Sequence, residues 1–237
     1  MTIVIAFHQS GYRNFKTYYI HFVCRYLTNE FPELISYTRM LKLIQGAMVP
    51  LYSYLTHRQA RPTGIALVDS STLQVCHNLR ILRYQVCKCT EKRGKGTIGS
   101  FYGFKLHLII NDQGGIISIK VTMANVDDKK PVSEMVNELW ACLYGDKYYI
   151  SSPLERELAD NGVTLITGVK RNKKPKMMEL WDPLMLRKRF IIEIVFDQLK
   201  NISQIKYFRH LNCISLWSTC WLGSSRIHFD QRSRVSR

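Results

Sequence analysis

Apolar residues recur at the helical period through the first quarter of the chain. Between Tyr12 and Phe31 they fall at Phe15, Tyr18, Tyr19, Phe22, Val23, Tyr26 and Leu27, which predicts a helix. Ser36 is suited to cap a second helix with Tyr37, Met40, Leu41, Ile44 and Met48 on one face, ending near Pro50. Aromatic stripes at this spacing belong to a core, so residues 1–60 are expected to form a small helical module.

The pattern changes after Arg61-Pro62-Thr63-Gly64. Ile65 to Val68 is a short apolar run that meets Asp69-Ser70-Ser71-Thr72 and resumes at Leu73 and Val75, a buried strand carrying an acid at its end. Residues 78–100 are basic and glycine-bearing, with Arg80, Arg83, Lys88, Lys92, Arg93 and Lys95, and read as a loop or irregular region. Phe104 to Ile110 and Ile116 to Thr122 are strands joined as a hairpin by Asn111-Asp112-Gln113-Gly114-Gly115.

A helix is expected from Lys130 to Leu139, a strand over Ala141–Tyr144, a helix from Ser152 to Ala159 closed by Asn161-Gly162, and a strand over Val163–Val169. From Leu186 to Lys200 a last helix has Ile191, Ile192, Val195, Leu199 and Ile202 as its apolar back. Its polar face carries Arg189, Glu193, Asp197 and Lys200, for which an ordinary Arg189–Glu193 pair one turn apart is the plain structural account. The fold class is therefore α/β, a mixed five-stranded sheet flanked by helices over residues 61–210, followed by an irregular tail over 211–237.

Composition narrows the partners. Lys and Arg outnumber Asp and Glu by 34 to 18, a formal charge of +16 that calls for a polyanion, nucleic acid first. No apolar run is long enough to span a bilayer, so no membrane partner is expected, and Thr2 to Phe7 lacks the features of a signal peptide. Seven scattered cysteines suit a reducing cytoplasm better than a disulfide framework. Cys76, His77, Cys87 and Cys89 match tetrahedral zinc spacing poorly, and Gly94-Lys95-Gly96-Thr97 lacks the upstream glycine of a phosphate-binding loop. His107, like His8, His57 and His228, reads as a structural or surface residue.

Asp69 ends the first predicted strand, Asp146 ends the fourth, and Glu193 lies on the helix after the fifth. Ends of strands in such sheets gather ligand chemistry, so the two aspartates are expected side by side with the helix beside them. Three facing carboxylates repel unless divalent cations join them, and hard oxygen ligands suit a Mg²⁺ pair that handles phosphates. Asp197, one turn from Glu193, is the rival third ligand.

Several motifs in this order carry a resemblance: Val68-Asp69-Ser70, Cys76-His77-Asn78, Gly103-Phe104-Lys105-Leu106-His107, Asn125-Val126-Asp127-Asp128-Lys129-Lys130-Pro131, Gly145-Asp146-Lys147, and Ile192-Glu193 followed by Asp197-Gln198-Leu199-Lys200. From Tyr12 to His210 the chain resembles a DDE transposase of bacterial insertion sequences. The resemblance implies an RNase H-like catalytic fold, Asp69, Asp146 and Glu193 as a metal-binding triad, and two Mg²⁺ ions that Mn²⁺ can replace. It further implies double-stranded DNA as partner, both element ends and target, a homo-oligomer in the active complex, and a cytoplasmic, nucleoid-associated protein. The spacing Arg189-x3-Glu193-x6-Lys200 matches the signature around the family's catalytic glutamate, whose basic residues meet DNA phosphates. Lys170, Arg171, Lys173 and Lys174 are expected to do the same.

Leu186 stands where the signature has tyrosine, and Tyr148 where glycine usually follows Asp-Lys. The tail after His210 departs from the family pattern, and the chain is expected to be a truncated copy. Two other readings accompany the transposase: a catalytically inactive DNA-binding remnant, and an RNase H-like nuclease that cleaves without joining.

Overall fold

The structure is a computed structural model that describes residues 2–12, 14–56, 59–76, 92–96, 99–136, 139, 142–168 and 180–202. The described chain forms two compact units, divided between 58 and 59 and again between 196 and 197.

The first unit begins with α1 (Thr2–Gln9) and α2 (Phe15–Tyr18), continues through a π-helical stretch (Tyr19–Val23) into α3 (Cys24–Tyr26), and then forms α4 (Tyr37–Thr56). The Asn14 side chain accepts the Lys16 N–H at 2.9 Å, supplying a partner for one of the donors a helix start leaves open. Its core is aromatic: Phe7 meets Phe15 edge-on at 5.2 Å, Tyr18 stacks on Phe22 at 5.5 Å, and buried Tyr19 donates its hydroxyl to the Ile35 carbonyl at 2.6 Å. The Ser36 carbonyl accepts from Met40 N at 2.9 Å, as expected of an N-cap position. The helix does not stop at Pro50, as its sequence suggests, but runs to Thr56. A proline withdraws one donor from the ladder, and here the ladder resumes beyond it.

The second unit is built on a mixed sheet of six strands: β1 (Ile65–Cys76), β2 (Lys92–Gly96), β3 (Gly99–Asn111), β4 (Ile116–Met123), β5 (Cys142–Gly145) and β6 (Thr164–Thr167). β1 lies between antiparallel β3 and parallel β5, and β6 extends the parallel side. β2 and β4 share the far edge of β3 end to end, β2 against Gly99–Gly103 and β4 against 104–110. This is the α/β sheet expected from the RNase H-like resemblance, with one strand more than the sequence pattern indicates. That strand falls inside the region read as a loop: Lys92–Gly96 has no apolar alternation, and its pairing with β3 supplies the order that its side chains do not.

Helices α5 (Lys130–Met135), with Val136 and Leu139 following, and α6 (Ser152–Asp160) bury Val132, Met135, Leu154 and Leu158 against Ala66, Val68, Ile109, Leu143 and Leu165. Filling such a core at roughly 25 cal/mol per Å² of apolar surface is what holds the sheet to its helices. Helix α5 is shorter than the expected 130–139, because Val136 leaves the helical region at φ −98°, ψ 0°. The predicted helix over 186–200 is divided as well. It is α7 (Asp182–Arg187), a turn at Lys188-Arg189, α8 (Phe190–Asp197) and a π-helical stretch (Gln198–Ile202).

Two features of the sheet have measurable consequences. A Cβ at Gly94 would overlap the Ala124 carbonyl and methyl, because β2 and the end of β4 abut there. Gly94→Ala is expected to lower the unfolding free energy by about 1–3 kcal/mol in a urea titration. His107 is fully buried on β3, with Nε2 2.7 Å from Thr122 Oγ1 and Nδ1 without a partner among the described residues. Burial chiefly, with Lys105 and Lys120 adding to it against the opposing pull of Asp128, lowers its pKa to about 4 from 6.5. The folded state thus binds this proton less readily than the unfolded chain, so the stabilisation is complete above about pH 6.5 and is lost as pH falls toward 4. At about 1.4 kcal/mol per unit the loss approaches about 3 kcal/mol, and His107→Gln is expected to remove that part of the slope in denaturant titrations across this range.

Candidate active site

The parallel pairing of β1 with β5 runs Ile65 to Cys142, Ala66 to Leu143 and Leu67 to Tyr144, then ends. Beyond it β1 continues to Cys76 on β3 alone, so Asp69 lies within the strand rather than at its end, opposite Leu108. What ends beside Asp69 is the neighbouring strand, β5. Asp146 follows directly on β5, two residues past the last pair, as Asp69 is on β1. Both acids therefore stand at the C-terminal limit of the parallel pair.

Local sequence fixes each one. At Gly145 a Cβ would lie 3.2 Å from both Tyr149 Cδ2 and Val68 Cγ1, a tight fit, so glycine is the residue that lets Tyr149 fold back over the strand end without displacing either. Asp146 then caps a 3₁₀ turn (Lys147–Tyr149), its Oδ1 accepting the Lys147 N–H at 2.7 Å and its carbonyl accepting the Tyr149 N–H at 2.9 Å. Tyr148 sits in that turn, 75% exposed, where no left-handed backbone is required; tyrosine is compatible with the position that the family usually gives to glycine. Asp69 Oδ1 accepts the Ser70 N–H at 2.8 Å.

The two faces of β1 and β3 differ in chemistry. Pairing puts Ser70, Thr72, Lys105, His107, Lys120 and Thr122 on one face, whereas Asp69 shares the other with Leu67, Leu73, Phe104, Leu106 and Leu108, all five buried. An ionised carboxyl among such neighbours loses solvation. Burial accordingly raises the Asp69 pKa above the ordinary carboxylate value, the Ser70 N–H and Arg189 oppose that rise, and Asp146 and Glu193 add to it by charge repulsion. Asp146 and Glu193 are thus close enough to Asp69 to act on its charge. The buried Tyr149 hydroxyl is likewise pushed upward, by burial first and then by Asp69.

Arg189 departs from the pairing that its spacing predicts. It does not pair with Glu193 along a helix: the turn between α7 and α8 carries its guanidinium across to the aspartates, Nη2 3.6 Å from Asp69 Oδ2 and Nη1 3.3 Å from Asp146 Oδ1. Glu193 is exposed in the first turn of α8, whose back is made by Ile192, Val195 and Phe196, all buried. Asp197 accepts a hydrogen bond from Asn201, and Lys200 lies in the π-helical stretch. Lys170, Arg171, Lys173 and Lys174 lie outside the described residues, as do His77, Cys87, Cys89 and the tail over 211–237.

Two supporting interactions escaped the sequence pattern. Tyr144, just ahead of Gly145-Asp146, donates to buried Asp182 Oδ1 at 3.1 Å and ties the start of α7 to β5. Lys105 reaches both the Val126 carbonyl and Asp128 Oδ1 at 2.9 Å, clamping the link between β4 and α5. Lys105 and His107, two apart in an otherwise apolar strand, were the visible sign of a polar face.

The donor set suits a hard divalent cation. Asp69 and Asp146 already converge on one positive group, with Glu193 near enough to add charge, while among the described residues no three His, Cys, Asp or Glu side chains stand close enough to hold one ion.

Among solved structures, the chain is similar to the piggyBac transposase in a synaptic complex with hairpin DNA, at 12% identity and a TM-score of 0.49, over 75% of this chain and 49% of that one. It is also similar to a chain of the simian T-cell lymphotropic virus intasome in complex with PP2A regulatory subunit B56 gamma, at 12% identity and a TM-score of 0.37, over 68% and 48%. The chain spans about half the length of these structures. No curated protein matches it. The family described as Transposase DDE domain matches residues 59–213, well over half of the 237, and takes in Asp69, Asp146 and Glu193. The chain belongs to the Transposase DDE domain family, whose members use divalent metal ions.

Proposed function

We propose that this chain is a DNA transposase that hydrolyses a phosphodiester at the ends of a mobile element and joins the freed 3′-hydroxyl to target DNA. The observation that carries the reading is the convergence of Asp69 and Asp146 on one cation position, inside the segment that the family matches. Asp69, Asp146 and Glu193 would hold Mg²⁺, two ions in all, with Mn²⁺ able to substitute. When bound, such ions neutralise the scissile phosphate and stabilise the attacking and leaving oxygens.

The chain's own contribution is to hold the acids in place. β1 and the turn after β5 hold two of them through backbone hydrogen bonds, and Glu193, on α8 with its buried apolar back, would have to close on them to complete the set. Arg189 and Lys200, with Lys170, Arg171, Lys173 and Lys174, bind the phosphates of double-stranded DNA, both element end and target, and the net charge of +16 favours that encounter. The active complex is a homo-oligomer that brings two ends together. Among the described residues no helix is long and apolar enough to cross a membrane, which is compatible with a cytoplasmic protein held at the nucleoid by DNA.

Nicking of an element-end duplex with Mg²⁺ or Mn²⁺ tests the reading. Asp69→Asn, Asp146→Asn and Glu193→Gln are each expected to reduce cleavage by more than about a hundredfold, since even partners one shell beyond a metal cost about 10–100-fold. Full activity in any of them removes that residue from the site. If Asp197→Asn abolishes cleavage and Glu193→Gln does not, Asp197 is the third acid. Cleavage without joining identifies a nuclease, and salt-sensitive DNA binding without cleavage in any metal identifies a non-catalytic DNA-binding protein. For binding itself, replacing Lys173 and Lys174 by alanine is expected to flatten the plot of log affinity against log salt by about two phosphate contacts.

A further inference from the structure

The contacts of Arg189 are unusual for a structural ion pair. At 3.6 Å and 3.3 Å they are longer than the roughly 2.7–2.9 Å of a well-made charge-assisted hydrogen bond. They are divided between two carboxylates instead of clasping one, and among the described residues the buried Nε has no partner. The residue lies in the turn between α7 and α8, outside both helical ladders, so its side chain is not locked into a helical ridge. A guanidinium selected to cross-link two acids for stability would be better satisfied. Removing it, however, would leave the repulsion between Asp69 and Asp146 to be offset only by the single backbone N–H that each accepts.

We propose that Arg189 is the resident counter-cation of the Asp69–Asp146 pair: it keeps the two carboxylates together when no metal is bound, and it must yield that position to a divalent ion. The inference rests on the reading of these aspartates as metal ligands. A monovalent guanidinium and a divalent ion at the same carboxylates repel each other, and in a partly desolvated site water screens that repulsion only weakly. Occupancy by one therefore disfavours the other. The exchange has a second effect, because a side chain released from the acids is free to meet a phosphate. Arg189 thus couples metal loading to DNA contact: before loading it is engaged inward, and after loading its charge is available to the backbone of the substrate.

The test uses the whole chain without DNA, titrated with Mn²⁺ by calorimetry and melted with and without Mn²⁺. Arg189→Gln is expected to bind Mn²⁺ about 5- to 100-fold more tightly, the usual range for coupling between two sites. It is also expected to melt earlier than the parent in the absence of metal, with that loss reversed by adding Asp146→Asn in the same chain. If Asp146→Asn abolishes Mn²⁺ binding while Arg189→Gln leaves the affinity unchanged or weakens it, the counter-cation role is overturned and the metal-ligand reading stands. If Asp69→Asn and Asp146→Asn bind Mn²⁺ as the parent does, the metal-ligand reading fails and the inference with it. Should Arg189→Gln not fold, Arg189→Lys serves in its place. Its compact ammonium cannot span both carboxylates, and severalfold tighter Mn²⁺ binding is expected; an affinity equal to or below the parent's overturns the proposal.

Discussion

Two carboxylates held side by side repel, and much of the second unit can be understood as the means of holding them there. Neither acid is placed by its own preference. β1 and β5 run parallel for three pairs and then part, and the first two residues beyond carry Asp69 and Asp146 to the same end of the sheet. β1 stays rigid past that point because β3 still pairs with it, while β5 turns away under Tyr149. One acid is consequently set in an apolar face and the other on an exposed turn, which gives the pair unequal solvation.

Around this constraint the supporting contacts divide between the two faces of the sheet. On the apolar side, Arg189 reaches Asp69 from the segment after α7. On the opposite side, Lys105 fixes the Asp128 loop, and His107 with Thr122 fills the space beneath Ser70. The Tyr144–Asp182 hydrogen bond links the two ends of the site along the chain, since one partner lies two residues before Asp146 and the other opens the helix that precedes Arg189. A site with opposed charges is thus flanked by neutral and paired groups that bond to one another and to the backbone.

The sequence revealed most of what periodicity and turn chemistry can encode. The hairpin of β3 and β4, the strand carrying Asp69, helix α6 and the order of elements follow from residue patterns. What escaped was decided by partners distant in sequence. β2 has no apolar alternation and is a strand only because β3 pairs with it; β1 outruns its expected end for the same reason. Pro50 looked like a terminator, but one lost donor does not outweigh a long helix. At the candidate site, the nearness of Asp69 and Asp146 was legible as acids expected at neighbouring strand ends. The direction of Arg189 was not, because an i,i+4 rule presumes a continuous helix and the chain turns at Lys188-Arg189.

That turn, together with the π-helical stretch after Asp197, bears on how spacing in a motif is to be read. Arg189-x3-Glu193-x6-Lys200 looks like a ruler laid along one ridge of a cylinder, with about 100° for every residue. Here the ruler is bent at its first mark and underwound after its second. The intervals preserve contour length along the chain, not bearing around an axis. A one-residue insertion between Arg189 and Glu193 would therefore change where the turn hands over to the helix, and could be absorbed or ruinous according to the slack in that handover rather than the angle on a wheel.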